Sequence, residues 1–215
     1  MKKYLLAVLA LGATMMMACQ PADGNDGTNG GGTPDVVADY NMSSDIVECL
    51  LENYGDYYGI GLNDFNLTVT AVEASETGKI IAKGLFMEYM GESSNKTGLG
   101  TFAPAKINWS TGEGLAANTY LAAAEIEGEI VGCGYTEVDV TTEEIIAYEG
   151  IASGDLTIAK EGSNYVVKGL FTTLSGKTLK VDYTGELVFD DYSNAGGVAP
   201  LSLKKTLNVG KLLKK

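Results

Sequence analysis

Residues 154–189 read GDLTIAKEGSNYVVKGLFTTLSGKTLKVDYTGELVF, and this stretch decides the fold class. From Thr178 onward, Leu179, Val181, Tyr183, Leu187 and Phe189 fall on one face, while Lys180, Asp182, Thr184, Glu186 and Asp190 fall on the other. A period of two marks a half-buried strand, because successive side chains leave a strand on opposite faces. The two preceding runs, 155–160 and 165–174, are β-branched and aromatic in character, and Glu161-Gly162-Ser163-Asn164 and Ser175-Gly176-Lys177 divide them. Each divider holds a glycine suited to the positive φ of a tight turn, so three strands in a meander are expected. The alternation places Tyr183 and Phe189 in the core.

Working outward, Phe65, Leu67, Val69 and Ala71 alternate with Asn66, Thr68 and Thr70, and a partner strand over 79–90 follows the turn Ser75-Glu76-Thr77-Gly78. Asn66-Leu67-Thr68-Val69 matches Asp155-Leu156-Thr157-Ile158, and Ala82-Lys83-Gly84-Leu85-Phe86 matches Val167-Lys168-Gly169-Leu170-Phe171, which suggests duplicated meanders. Ile46, Val47, Leu50 and Leu51 have helical spacing, yet the aromatic, glycine-rich run 54–61 breaks any helix, so this segment stays open between helix and strand. Glu125, Glu127 and Glu129 alternate about Ile126 and Ile130 and read as the solvated face of one strand. Near the end, Leu201, Leu203, Leu207 and Val209 suit a closing strand, and 210–215 is a Lys-rich tail. A helix lying on anionic lipid is the weaker reading, since these leucines do not gather on one side at 100° per residue.

The first residues read as an address. Lys2 and Lys3 precede an uncharged apolar run over 5–18 that stops at Cys19, too short for a membrane span of about 20 residues. Met16-Met17-Ala18-Cys19 resembles a bacterial lipobox, with Met16 where leucine is the commoner residue. The resemblance implies cleavage before Cys19 and acylation of that cysteine, and two or three acyl chains make a stable anchor. Residues 20–34, QPADGNDGTNGGGTP, have almost nothing to bury and read as a flexible tether. Asp23-Gly24-Asn25-Asp26-Gly27 lacks the carboxylate and glycine spacing of an EF-hand loop, and no cofactor or metal site is read anywhere.

Composition narrows the function classes. The net charge is −13, from 15 basic and 28 acidic residues, and every basic residue is lysine. An acidic surface repels phosphate backbones, so nucleic acid is not an expected partner. Without arginine there is no bidentate clamp on carboxylate or phosphate. Without histidine, Ser-His-Asp and Cys-His catalysis, the usual catalytic zinc sites and His-ligated haem are excluded. The acids Glu125, Glu127, Glu129, Glu137, Asp139, Glu143 and Glu144 include no pair marked out for glycoside hydrolysis, so hydrolase is the remote alternative and no catalytic residue is assigned.

Tyr57-Tyr58-Gly59 with Gly61 and Asn66, then 114–120 (GLAANTY), 151–165 and 175–187 follow one another. In this order of pieces the chain resembles small outer-membrane lipoproteins of Bacteroides-like bacteria. The resemblance implies an antiparallel β-sandwich or flattened barrel. Acidic residues soon after the acylated cysteine in such lipoproteins resemble a signal for export to the outer face, and Asp23 and Asp26 fit that pattern loosely.

Trp109, Tyr57, Tyr58 and Tyr120 lie in glycine-rich surroundings and suit a platform on which sugar rings stack. The alternative is that they pack the core and hydrogen-bond outward. The expectation is therefore an all-β chain, an antiparallel β-sandwich or flattened barrel built from meanders: signal peptide 1–18, anchor and tether 19–35, one β domain 36–209 and tail 210–215. It is lipid-anchored in the outer membrane on its periplasmic or exterior face. Its role is that of a non-enzymatic binding module for glycan or another surface protein, with a structural, adhesin-like component of the fimbrial type as the alternative. Cys49 and Cys133 are expected as free, poorly reactive thiols rather than a disulfide. Metabolic labelling with a palmitate analogue should tag the wild-type chain and leave Cys19→Ala untagged; equal labelling of the two would refute the anchor.

Overall fold

The computed structural model describes residues 37–194, so the expected signal peptide, anchor residue Cys19 and tether, and the segments 201–209 and 210–215, lie outside the described residues. Among the described residues the chain is all-β. Fourteen strands form a twelve-stranded mixed sheet, folded on itself as a flattened barrel, and a separate two-stranded hairpin. They are β1 (Tyr40–Met42), β2 (Ile46–Gly55), β3 (Leu62–Ala74), β4 (Ile80–Glu92), β5 (Gly100–Ala105), β6 (Thr119–Leu121), β7 (Ala124–Ile126), β8 (Glu129–Val131), β9 (Gly134–Asp139), β10 (Glu144–Ser153), β11 (Leu156–Glu161), β12 (Asn164–Thr173), β13 (Thr178–Gly185) and β14 (Val188–Asp191).

The order β1-β13-β12-β11-β5 makes one layer, and β14-β2-β3-β4 with β9 and β10 makes the other. Two strands close the layers on each other, because each takes two partners along a single edge. β4 pairs with β9 over Ile81–Phe86 and then with β6 at Tyr89 and Met90. β12 pairs with β11 and then, at Thr172 and Thr173, with the end of β10. Between the two partners of β4 the Glu88 backbone has no ladder neighbour on that side, and the Cys133 thiol stands in. Glu88 N donates to Cys133 Sγ at 3.3 Å, and Sγ donates to Glu88 O at 3.5 Å. Both Cys133 and Cys49 are free and buried, and burial pushes the Cys49 thiol up to about 12.

The core fills the space between the layers with Leu51, Phe65, Leu67, Val69, Leu85, Met87 and Tyr89 from one side and Leu156, Val167, Phe171, Leu179 and Val181 from the other. Tyr89 and Phe102 meet at 4.1 Å between ring centroids, and Tyr120 meets Phe171 edge to face at 6.2 Å.

The sheet is not purely antiparallel. β1 lies parallel to β13, β14 parallel to β2 and β5 parallel to β6. For the first two pairs connectivity gives the reason: β1 leads into β2 and β13 into β14, so two short crossings run side by side in the same sense from one layer to the other. The crossing at Glu186-Leu187 also corrects the reading of 178–190 as one strand. Leu179 and Val181 are buried as expected, but Tyr183 is half-buried, with its hydroxyl donating to the Glu186 carbonyl, and Phe189 is 37% exposed in the other layer. The alternation restarts at the crossing, so its phase does not carry through.

Other readings are resolved or corrected by the strand pairing. The helically spaced run 46–51 is strand β2, covered on both faces along much of its length, and such runs read alike in helix and strand. Glu125, Glu127 and Glu129 do not share one strand: the chain reverses at Glu127-Gly128, both at positive φ (53° and 81°), which is the two-residue turn of the hairpin β7–β8. The matched segments are not a structural duplication. Thr68 pairs with Phe86, whereas its counterpart Thr157 pairs with Lys168, the counterpart of Lys83. That offset is odd, so it exchanges the faces: Leu85 is buried while its counterpart Leu170 is 47% exposed, and Phe171 is buried instead. Phe171→Ala should accordingly cost about 3–5 kcal/mol of unfolding free energy, and Leu170→Ala should stay within about 0.5 kcal/mol, as read from denaturant midpoints.

Candidate functional site

On β2, β3 and β4 the side chains of Leu51, Phe65, Leu67, Met87 and Tyr89 point into the core, so those of Glu52, Asp64, Asn66 and Glu88 point to the outer face. Register sets three of them in one row, Glu52 opposite Asn66 and Asn66 opposite Glu88. Asp64 stands two residues before Asn66 on the same face. An outward polar row ordinarily meets water, yet all four residues are buried.

Part of the cover comes from the β2–β3 connection. Asp56 braces it, its carboxylate accepting from Ile60 N at 2.8 Å and Gly61 N at 3.0 Å. Gly59 and Gly61 supply the left-handed residues this tight path needs, at φ 68° and 78°. The loop turns back far enough for the Tyr58 hydroxyl to donate to Glu88 Oε1 on β4. Tyr57 meets Tyr58 edge to face, with ring centroids 5.3 Å apart, and is 37% exposed. Beside them Tyr54 donates to Glu52 Oε1 at 3.1 Å, and Tyr192 stacks on Tyr54 at 5.5 Å. Burial first, and then the Glu88 charge, pushes the Tyr58 hydroxyl up, so it stays a donor.

Neither Asp64 oxygen and neither side-chain polar atom of Asn66 has a hydrogen-bond partner among the described residues. Both residues have 0% exposure, and an unpaired buried polar group costs roughly 1–3 kcal/mol. Burial, and after it the charge of Glu88, raises the Asp64 carboxyl well above the ordinary aspartate range. A second polar cluster shows the contrast. Glu149 accepts from Tyr40 at 3.0 Å and Ser175 at 2.7 Å and pairs with Lys177 at 3.2 Å. Burial alone would raise its carboxyl, but these bonds and the Lys177 charge hold it below the usual range. That cluster is fully paired and ties β1, β10 and the β12–β13 turn together.

Of the four aromatic residues suggested for a platform, the structure brings Tyr57 and Tyr58 together. Tyr120 is withdrawn from it: fully buried in β6, its hydroxyl donates to the Gly154 carbonyl at 2.9 Å. Trp109 is half-buried against the core, and its Nε1 has no partner among the described residues. Asp64, Asn66 and Glu88 were not marked by alternation, which assigns the outward face of β3 to solvent. Their signal is composition: Glu88 is the single charge in the run Leu85-Phe86-Met87-Glu88-Tyr89-Met90, which is otherwise apolar on both faces. No family model matches this chain, nor does any curated protein or solved structure.

The Asp64 carboxyl gives a sign for pH. Above about pH 4, where an ordinary aspartate releases its proton, the unfolded chain loses a proton that folded Asp64 keeps. The stability this group contributes is therefore full below that pH and falls as pH rises toward the folded pKa. Asp64→Asn removes this slope, so the denaturation midpoint of the variant should gain on that of the wild type between pH 4 and 8. Parallel midpoints across that range would show that Asp64 ionises normally.

Proposed function

We propose that this chain is a lipid-anchored, non-enzymatic binding module of the outer membrane, and that its ligand is a glycan met by the β2–β3 loop. The observation that carries the reading is the Tyr57–Tyr58 pair: two rings set edge to face on a loop whose backbone is braced by Asp56. Aromatic rings bind the C–H faces of sugars with little loss of side-chain freedom, and a braced loop lowers the ordering cost further. The acidic, arginine-free composition sets aside phosphate-bearing ligands and favours an uncharged one. The lipobox-like run ending at Cys19 supports display at a membrane.

A glycan array probed with the full chain tests this reading. Wild type should retain a selective set of glycans at millimolar affinity or better, and Tyr57→Ala should lose them while keeping its thermal midpoint. A protein that retains none and instead assembles into ordered polymers would replace the binding role with the structural one.

A further inference from the structure

We infer that Asp64 and Asn66 are the polar floor of a saccharide subsite, closed in this structure by Tyr58, and that they take a vicinal diol of the sugar. The inference rests on the glycan reading above and adds a site to it. Its basis is the pair of fully buried side chains whose polar atoms lack partners among the described residues. Folding an unpaired carboxyl and an unpaired carboxamide side by side destabilises the domain, and such groups call for a partner outside the fold.

Chemistry narrows that partner. Residues two apart on a strand lie about 6.5–7 Å apart with side chains on one face. A protonated carboxyl and a carboxamide so placed offer an O–H donor and an amide donor beside acceptor carbonyl oxygens on both groups. Adjacent sugar hydroxyls, each both donor and acceptor, match that set, and Tyr58 places a ring beside it. An anion is disfavoured by Glu88 and Glu52 in the same row. A divalent cation is disfavoured as well: among the described residues no three acidic or thiol side chains gather closely enough to hold a metal ion. An ammonium only donates, so it would leave the Asp64 O–H and the Asn66 amide donor unmatched.

Access follows from the loop. Tyr58 is bonded to the sheet through its hydroxyl on Glu88. Gly59 and Gly61, which follow it, have open space where a side chain would stand, so rotation there, in exchange for the Asp56 bonds to Ile60 N and Gly61 N, lets Tyr58 leave Asp64 and Asn66 without displacing the strands.

The test uses the full chain and the methyl glycosides of glucose, galactose and mannose, each beside a deoxy analogue lacking one hydroxyl of a vicinal pair. At least one glycoside should bind. Asn66→Leu and Asp64→Leu should each weaken it about tenfold or more, as for a site built to hydrogen-bond a hydroxyl. Their thermal midpoints should hold or rise, because an unpaired polar group has been removed. The matching deoxy analogue should bind wild type more weakly by a similar factor, a measurement that needs no variant. Unchanged affinity in both variants together with undiminished binding of every deoxy analogue overturns the subsite and leaves the Tyr57–Tyr58 contact standing. Midpoints that fall in both variants, or binding of N-acetyl-lysine amide in place of the glycosides, overturn it too. Failure of wild type to bind any glycoside removes the glycan reading along with the subsite.

Discussion

The closure of the sheet turns on one backbone position. A strand edge offers each residue one ladder partner, and β4 divides its outer edge between β9 and β6, so Glu88 at the handover is left with an N–H and a carbonyl that burial keeps from water. A thiol can accept from the one and donate to the other, and Cys133 does both. Burial raises this thiol, which keeps the proton on sulfur that the second bond needs. From this junction β9 leads through β10 to β12, and β6 leads through β5 to β11. The two routes meet on β12, and the sheet is thereby closed around the core.

The same residue serves the outer face. Its backbone completes the closure while its carboxylate receives Tyr58, so the loop beside Asp64 is fastened at the place where β4 changes partners. The two polar clusters then divide the labour. Around Glu149 each donor meets an acceptor and the result is rigid attachment of β1. Around Asp64 and Asn66 the pairing is left incomplete, the kind of local sacrifice of stability that binding sites make.

How far the sequence could be read follows from which neighbours decide each residue's environment. Leu179 and Val181 obey the alternation because β13 has one face on the core and one outward. Hairpins with short dividers, β3–β4 and β11–β12, were legible for the same reason. Phe189 was not, because nothing within 178–190 signals that the chain leaves one layer at Glu186 and joins the other. The matched segments misled through register: identical local patterns were shifted against their partners by an odd number of residues, and only the pairing strand records that. Tyr57 and Tyr58 could be picked out by type and setting. Asp64 and Asn66 could not, since their burial depends on a loop turning back across two strands.

The exchange of terminal strands between the layers carries a consequence for synthesis. β1 is the first strand of the described domain, and its neighbour β13 is nearly the last; Asp39 and Thr178, which fasten them, are 139 residues apart. β2 likewise waits for β14. Neither layer has a finished edge until almost the whole domain has left the ribosome, so no amino-terminal portion is a folding unit by itself. Pairings at such separation slow folding, and a chain released before β13 and β14 are made presents bare strand edges to its neighbours. A carboxy-terminal truncation of this protein is thus a hazard of aggregation more than a loss of local structure.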